Sequence, residues 1–143
     1  MYSREETEAI KREFWITFSK KYPRKWMLYD TKIKDFSFKF YIDNKIAQVI
    51  IAIEPKDDLK RNTYFEKILS LKNIIENDYI KNLIFEKNYF LENGKIISKI
   101  WVEKTNVSIG NKNCWDDIFS FFYEKMNLLE QFYNQYDDYI KDV

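Results

Sequence analysis

The sequence lacks histidine altogether and contains only two glycines, Gly94 and Gly110. Without histidine, catalysis by Ser–His or Cys–His pairs and every metal site with an imidazole ligand are excluded. Two isolated glycines cannot form the glycine-rich loop that holds phosphate in a P-loop or a dinucleotide-binding fold. The options that remain are carboxylate–metal chemistry, lysine chemistry and binding without catalysis.

Cysteine and long apolar runs are also scarce. The single cysteine, Cys114, cannot form an internal disulfide, and the chain does not open with the charged and apolar regions of a secretion signal. The longest apolar run covers residues 49–53, whereas a membrane-spanning helix needs roughly 20 apolar residues. We therefore expect a cytoplasmic protein that does not cross a membrane.

Neither sign of charge dominates. The 24 Lys and Arg residues nearly balance the 23 Asp and Glu residues, so the formal net charge is +1. Binding of nucleic acid or of an anionic membrane would therefore need a local basic patch. The chain has 143 residues, of which 45% are hydrophobic, and this is enough for one core. We expect a single domain over residues 1–143.

Apolar residues at helical spacing predict three helices. Ser3 followed by Glu6 is a capping-box sequence, and it begins a helix over residues 3–21. The second helix is predicted over residues 59–78. The third begins at Asn113 and carries one apolar stripe to the end of the chain.

Alternation of apolar and polar residues predicts a first β-hairpin. Residues 36–42 and 47–53 each place their large apolar side chains on one face, with Phe36, Phe38 and Phe40 toward the core. The two central residues of a tight turn between them, Asp43-Asn44 or Asn44-Lys45, would adopt positive φ. Residues 26–33 can supply a further strand ahead of this hairpin.

A second hairpin is predicted from residues 83–91 and 95–103. Asn93-Gly94 between them is the favoured sequence of a two-residue type I′ turn. Hairpins separated by helices indicate the α+β class. The expected fold is an antiparallel sheet of about five strands, built from the two hairpins and covered by three helices.

The segment Glu54-Pro55-Lys56 has the acid-x-lysine spacing of Mg²⁺-dependent nucleases of the restriction-endonuclease type. Such a nuclease needs a second acid nearby. Asp43 cannot supply it, because it lies in the hairpin turn, roughly 30 Å from Glu54. Counting back across the turn places Glu54 opposite Ile33 or Asp35. The candidate catalytic residues are therefore Asp35, Glu54 and Lys56.

A structural ion pair is the interpretation of these residues that we prefer. Pro55 usually ends a strand, so it does not direct Lys56 over the sheet. Lys56, or Lys34 on the adjacent strand, is available to neutralise either acid. We expect no metal site and no cofactor.

Basic and aromatic residues alternate between positions 20 and 45, a composition that can contact phosphate and stack on bases. The candidate nucleic-acid-binding residues are Arg24, Lys25, Trp26, Lys32 and Lys34. The other interpretation is a solvated strand face with the aromatic side chains packed inward, and we favour it.

The C-terminal helix is a candidate for self-association. Its apolar spacing continues for more than three heptads, and aromatic residues reach Tyr139 near the chain end. Burial of the stripe on the chain's own sheet is the first expectation, and self-association is expected in addition to it. From this length we predict a homodimer through the C-terminal helix.

Several segments also resemble a known family. They include "REFW" at 12–15, "KWMLYDTKIKDFSFKF" at 25–40, "IAIEPKDD" at 51–58, "ENGKIISKIW" at 92–101 and "NKNCWDDIFSFFYEKMNLLEQFY" at 111–133. Their order resembles an uncharacterised bacterial family, domain of unknown function 4268. The resemblance implies a one-domain α+β protein that occurs alone or after a restriction-endonuclease-like nuclease domain, with no activity assigned to the domain itself.

The chain departs from that family pattern at two places. Lys32 stands where the family usually has a glycine, so a backbone geometry that depends on glycine is in question there. The residues that follow the family's strand-ending glutamate do not usually form acid-x-lysine, so Lys56 after Glu54 looks local to this chain.

The function predicted from the sequence is therefore a non-catalytic accessory or interaction domain with a protein partner, serving a nuclease or defence partner. The alternative is a degenerate or active metal-dependent nuclease of the restriction-endonuclease type. An open cleft in which Asp35 and Glu54 converge would favour the nuclease.

Overall fold

Helices and paired strands alternate along residues 2–142, the part of the chain that the structure, a computed structural model, describes. The helices are α1 (Arg4–Lys21), α2 (Asp58–Ser70), α3 (Lys72–Asp78) and α4 (Trp115–Lys141), and the strands are β1 (Phe36–Ile42), β2 (Ile46–Ile53), β3 (Ile84–Phe90) and β4 (Ile96–Thr105). A short 3₁₀ turn, Lys112–Cys114, precedes α4. The predicted α+β class is confirmed.

The strands form one antiparallel sheet in the order β1-β2-β4-β3. The two predicted hairpins meet through β2 and β4, which pair along the whole of β2. Phe38 on β1 lies opposite Ile51 on β2, and both are 1% exposed. The predicted burial of the phenylalanine face is thus confirmed.

The helices cover that face of the sheet, and even the short α3 contributes the buried Ile75. Phe14 and Phe18 of α1, Phe65 of α2 and Phe122 of α4 belong to one buried cluster with the inward strand residues. The side chains of α4 that lie at spacings of three and four face this cluster; Tyr136 is partly buried and the others are buried: Trp115, Ile118, Phe122, Met126, Leu129, Tyr133 and Ile140. No helix in residues 2–142 is long and apolar enough to cross a bilayer.

The opposite face of the sheet carries a small apolar cluster of its own. It consists of Ile50, Ala52 and Trp101, with Tyr89 packed against them. Every member of this cluster comes from a strand. Among the described residues, therefore, helices bury one face of the sheet and the second is shaped by strands alone.

The start of α1 follows the sequence prediction. Ser3 accepts a hydrogen bond from the Glu6 N–H at 3.1 Å, and the Glu6 carboxylate accepts one from the Ser3 N–H at 3.3 Å. This reciprocal pair satisfies two N–H groups that a helix start leaves free.

Both hairpin turns differ from the predicted types. Asn44 and Lys45 form the first turn without positive φ, because the Asp43 carboxylate accepts the N–H groups of Lys45 at 2.7 Å and Ile46 at 2.8 Å and closes the turn. In the second turn three residues, 92–94, lie between the paired Leu91 and Lys95, and Gly94 has φ 86°. This is a type I turn followed by a bulge, not a type I′ turn.

Two predicted elements are wrong in detail. The helix expected over residues 59–78 is broken at Leu71, whose ψ of 9° separates α2 from α3. Residues 26–33 form turns and not a strand, because Leu28 and Lys32 have positive φ. The described sheet accordingly has four strands where about five were expected.

A bulge between Glu86 and Tyr89 bends β3. The extra residue frees the Lys87 carbonyl from the strand pairing, and the buried guanidinium of Arg61 on α2 donates to that carbonyl at 2.5 Å. The same guanidinium donates to Ser98 Oγ at 2.8 Å and to Asn88 Oδ1 at 3.1 Å. Arg61 therefore fixes the bulge and with it the course of the β3–β4 hairpin.

Candidate interaction site

Glu54 and Asp35 are brought side by side at the end of the first hairpin, one of the two registers predicted. The Glu54 N–H donates to the Asp35 carbonyl at 2.7 Å. The Glu54 carboxylate, however, contacts the ammonium of Lys39 at 3.2 Å and that of Lys95 at 3.7 Å. Lys95 comes from the other hairpin, so the cations predicted for this pair, Lys56 and Lys34, are not the ones that neutralise it.

Asp35 is exposed and has φ 60°. Lys56 is exposed as well. In residues 2–142 no three His, Cys, Asp or Glu side chains are grouped so that they could hold a metal ion. Asp35 and Glu54 thus meet at the open end of the first hairpin. Two lysines, Lys39 and Lys95, already balance the charge of Glu54, the more buried of the two acids.

An aromatic pocket of about 380 Å³ opens between α1, residues 22–30 and the edge strand β1. Its walls are mainly rings, and its lining residues are Trp15, Phe18, Ser19, Tyr22, Arg24, Trp26, Leu28, Tyr29, Phe38, Lys39 and Phe40. At its rim, Tyr29 is 73% exposed and Trp15 is 37% exposed. We call this surface the aromatic pocket.

Trp26 forms the centre of the aromatic pocket. Its ring stacks on Phe18, with ring centres 6.0 Å apart, and meets the edge of Phe40 at 5.4 Å. The Arg24 guanidinium lies 3.9 Å from the centre of the same ring. This is a cation–π contact that fixes both side chains.

The polar end of Arg24 is held by α4. Its guanidinium donates to the Glu130 carboxylate and to the side-chain oxygen of Asn127. The other Glu130 oxygen accepts the Met27 N–H at 2.8 Å. Glu130, although only 7% exposed, thus has partners for both oxygens, and it ties residues 24–27 to the helix.

The predicted nucleic-acid-binding residues are only partly brought together. Arg24 and Trp26 share the aromatic pocket. Lys32 is paired with Asp30 at 2.7 Å, and the Lys32 ammonium lowers the pKa of the Asp30 carboxyl below its usual value. Lys25 and Lys34 are exposed. Arg24, the arginine among these five residues, already has the Glu130 carboxylate as its partner.

Comparison with known families decides the family of this chain. The model of the family described as "Domain of unknown function (DUF4268)" matches residues 10–137, which include the whole aromatic pocket. The chain belongs to the DUF4268 family. Comparisons with curated proteins and with solved structures return no match.

Lys32, where the sequence resemblance has a glycine, lies in a turn with positive φ. Lys32 adopts φ 66°, the left-handed region that glycine enters without strain. The Thr31 hydroxyl donates to the Phe36 carbonyl at 2.7 Å and accepts the Ile33 N–H at 3.2 Å. The buried Thr31, directly before the strained Lys32, therefore holds the turn through hydrogen bonds to residues that follow it.

Most residues of the aromatic pocket were not predicted from the sequence. Trp15 lies beside the stripe of Ile10, Phe14 and Phe18 and not on it, and this offset was the available signal. Nothing local in the sequence indicates that Glu130, more than a hundred residues away, anchors Arg24. The pocket depends on long-range packing.

The apolar stripe of α4, which led to the prediction of a homodimer, is buried within the DUF4268 domain. Ile140, near its end, is fully buried. Tyr123 and Tyr139 are the large apolar side chains of α4 that remain exposed among the described residues. Self-association through α4 stays a prediction, but it would have to use these residues and not the stripe.

Proposed function

We propose that this chain is a non-catalytic interaction domain that binds a protein partner through the aromatic pocket. The observation that carries the proposal is the pocket itself, a cavity of about 380 Å³ with Trp15 and Tyr29 exposed at its rim and Arg24 stacked on Trp26. Trp, Tyr and Arg are the residue types that dominate binding energy at protein interfaces. A partner would insert an apolar or aromatic side chain between these rings.

The charges around the pocket favour a protein over a nucleic acid. Binding to phosphates depends on Lys and Arg side chains that exchange counterions for phosphates. Here Arg24 is engaged by Glu130, Lys32 by Asp30 and Lys39 by Glu54. A protein side chain gains from the aromatic walls without disturbing these pairs.

The surroundings of Glu54 support an absence of catalysis. A carboxylate binds Mg²⁺ well only when nearby cations do not already neutralise its negative charge. Two lysines, Lys39 and Lys95, contact the Glu54 carboxylate. Because the family resemblance includes domains that follow a nuclease domain, the partner we propose is a nuclease or a defence protein.

The test is capture of a partner followed by a titration with purified components. A protein recovered with the wild-type chain from its source cells is purified and titrated against wild type, Tyr29→Ala and Ser19→Trp. Tyr29→Ala removes an exposed rim side chain, and Ser19→Trp fills the cavity. We expect each to raise the Kd about tenfold or more.

Tyr139→Ala is the matched control, because Tyr139 is also an exposed tyrosine but lies on α4, away from the pocket. It should leave the Kd unchanged. Equal Kd values for wild type and Ser19→Trp would overturn the proposal. So would Mg²⁺-dependent DNA cleavage by the purified chain that Glu54→Ala abolishes, since this would favour the nuclease.

A further inference from the structure

The face of the sheet that lacks helices carries a second cavity. This groove, which we call the sheet groove, has a volume of about 360 Å³ and is bounded on one side by Phe90, Leu91 and Glu92 at the tip of the β3–β4 hairpin. Its floor consists of strand residues, among them Ile50, Ala52, Ile97, Tyr89 and Lys99. No residue of the aromatic pocket except Lys39 contributes to it.

Lys99 is the unusual member of this floor, because it is a lysine that is only 7% exposed. Its ammonium lies 4.3 Å from the centre of the Tyr89 ring and 4.5 Å from that of Trp101. It donates one hydrogen bond, to Gln48 Oε1 at 3.0 Å. Two aromatic faces and one amide thus surround the cation.

No carboxylate of the described residues lies within ion-pair distance of Lys99, whereas the neighbouring Lys39 has Glu54. Glu103 reaches Lys99 only through Gln48, whose Nε2 donates to Glu103 Oε1 at 2.6 Å. Lysine is almost never so buried without a partner, because its charge loses hydration. Burial lowers the pKa of the Lys99 ammonium below its usual value, although Glu103 and Glu86 oppose this at longer range.

A second buried donor lies next to Lys99. The indole Nε1 of Trp101 has no hydrogen-bond acceptor among residues 2–142, and Trp101 lies behind Lys99 and does not itself line the groove. Buried donors normally have an acceptor, and those that lack one often mark a ligand or water position. Lys99, which does line the sheet groove, would gain both an acceptor and negative charge from an anionic group bound there.

We propose that the sheet groove is a binding site for a small molecule that carries a carboxylate or a phosphate on an apolar body. The anionic group binds the Lys99 ammonium, and the apolar body lies on Ile50, Ile97 and Tyr89. The volume suits a small ligand with one ring, because ligand pockets begin at about 300 Å³. This site is independent of the partner proposed for the aromatic pocket.

The test uses three probes that share a phenyl ring: 3-phenylpropionate, its neutral amide 3-phenylpropanamide, and phenyl phosphate. Each is titrated into the ¹⁵N-labelled chain, and the shifts of the β2 and β4 amide signals give the Kd. We expect an anionic probe to bind about tenfold or more tightly than the amide. The carboxylate and phosphate arms show which anion the site prefers.

Lys99→Met keeps the length of the side chain and removes its charge, so it should weaken the anionic probe about tenfold or more while leaving the amide unchanged. Lys87→Met is the matched control, because Lys87 is also a strand lysine but is paired with Glu66 and does not line the groove. It should change the Kd less than about threefold. Tyr29→Ala should have no effect, which separates this site from the aromatic pocket.

Three results would overturn the proposal: the acid and the amide bind equally, Lys99→Met binds the anion as wild type does, or no anionic probe shifts the β2 and β4 signals at millimolar concentration. If Lys99→Met does not fold, the wild-type chain with ¹³C-methylated lysines decides. Lys99 methyl signals that do not move with a bound anionic probe count against the site.

Discussion

The guanidinium of Arg61 donates a hydrogen bond to the hydroxyl of Ser98 at 2.8 Å, and both residues are buried. Arg61 belongs to α2 and Ser98 to β4, so this contact joins the helical layer to the centre of the sheet. The same side chain supports the bulge in β3. One buried arginine thus links the covered face to the hairpin whose tip borders the sheet groove.

Arg61→Met should lower the free energy of unfolding by about 2–3 kcal/mol, because it removes the donor to Ser98 Oγ and Asn88 Oδ1 and leaves the Lys87 carbonyl with the Ser98 hydroxyl alone. Urea unfolding measures the change. Lys60→Met, at the exposed neighbouring position of α2, is the control and should change stability by less than about 0.5 kcal/mol. Equal effects of the two substitutions would contradict the role given to Arg61.

Lys99 should make stability depend on pH above neutrality. Burial lowers its pKa from the ordinary 10.5, an effect that Glu103 and Glu86 oppose, so the unfolded chain holds the proton more tightly than the folded chain. The free energy of unfolding of wild type, relative to Lys99→Met, should therefore rise as the pH approaches 10.5. Urea unfolding of both chains at several pH values between neutrality and that limit measures the difference, and parallel curves would refute it.

Tyr133 should make stability fall at alkaline pH. Burial raises the pKa of its phenol from 10.0 to about 12, so the unfolded chain ionises first. The contribution of Tyr133 is intact below pH 10.0 and is lost as the pH rises to about 12, by about 3 kcal/mol in full. Tyr133→Phe should reduce this alkaline loss in thermal unfolding, and an unchanged pH profile would be evidence against the buried phenol.

Glu130→Ala should free residues 24–27 from α4. The substitution removes the acceptor of the Met27 N–H and the carboxylate partner of Arg24, so we expect a loss of about 2 kcal/mol and faster hydrogen exchange at Met27. Glu124→Ala, on the exposed side of the same helix, is the control. Exchange at Met27 that is equally slow in both variants would show that other contacts hold the segment.

Glu54 is not expected to bind Mg²⁺ or Mn²⁺. Because Lys39 and Lys95 already balance its charge, the melting temperature of the wild-type chain should not rise with Mg²⁺ or Mn²⁺. Glu54→Ala should cost about 1 kcal/mol or less, since both lysines are partly exposed. A melting temperature that climbs with metal in wild type and not in Glu54→Ala would reverse this interpretation.

The sequence by itself determined the local elements of this protein. The capping box of Ser3 and Glu6, the alternation in residues 36–42 and the stripe of α4 each depend on residues a few positions apart. The periodicity of apolar residues and the helix-capping sequence therefore predicted the α+β class, both hairpins and the buried phenylalanine face. The sequence predicted the turn types less well. The Asp43 carboxylate closes the first turn by accepting two N–H groups, so that its residues do not need the expected positive φ.

The tertiary structure alone decided which distant side chains meet. The order β1-β2-β4-β3 places Lys95 beside Glu54, and packing of α4 places Glu130 beside Arg24. Lys99 looks like any solvated strand lysine in the sequence, yet Tyr89 of β3 and Gln48 of β2 close over it beside Trp101 of its own strand and bury it. The physical reason is that charge neutralisation, burial and cavity shape depend on contacts between residues far apart in the chain, which local periodicity does not encode.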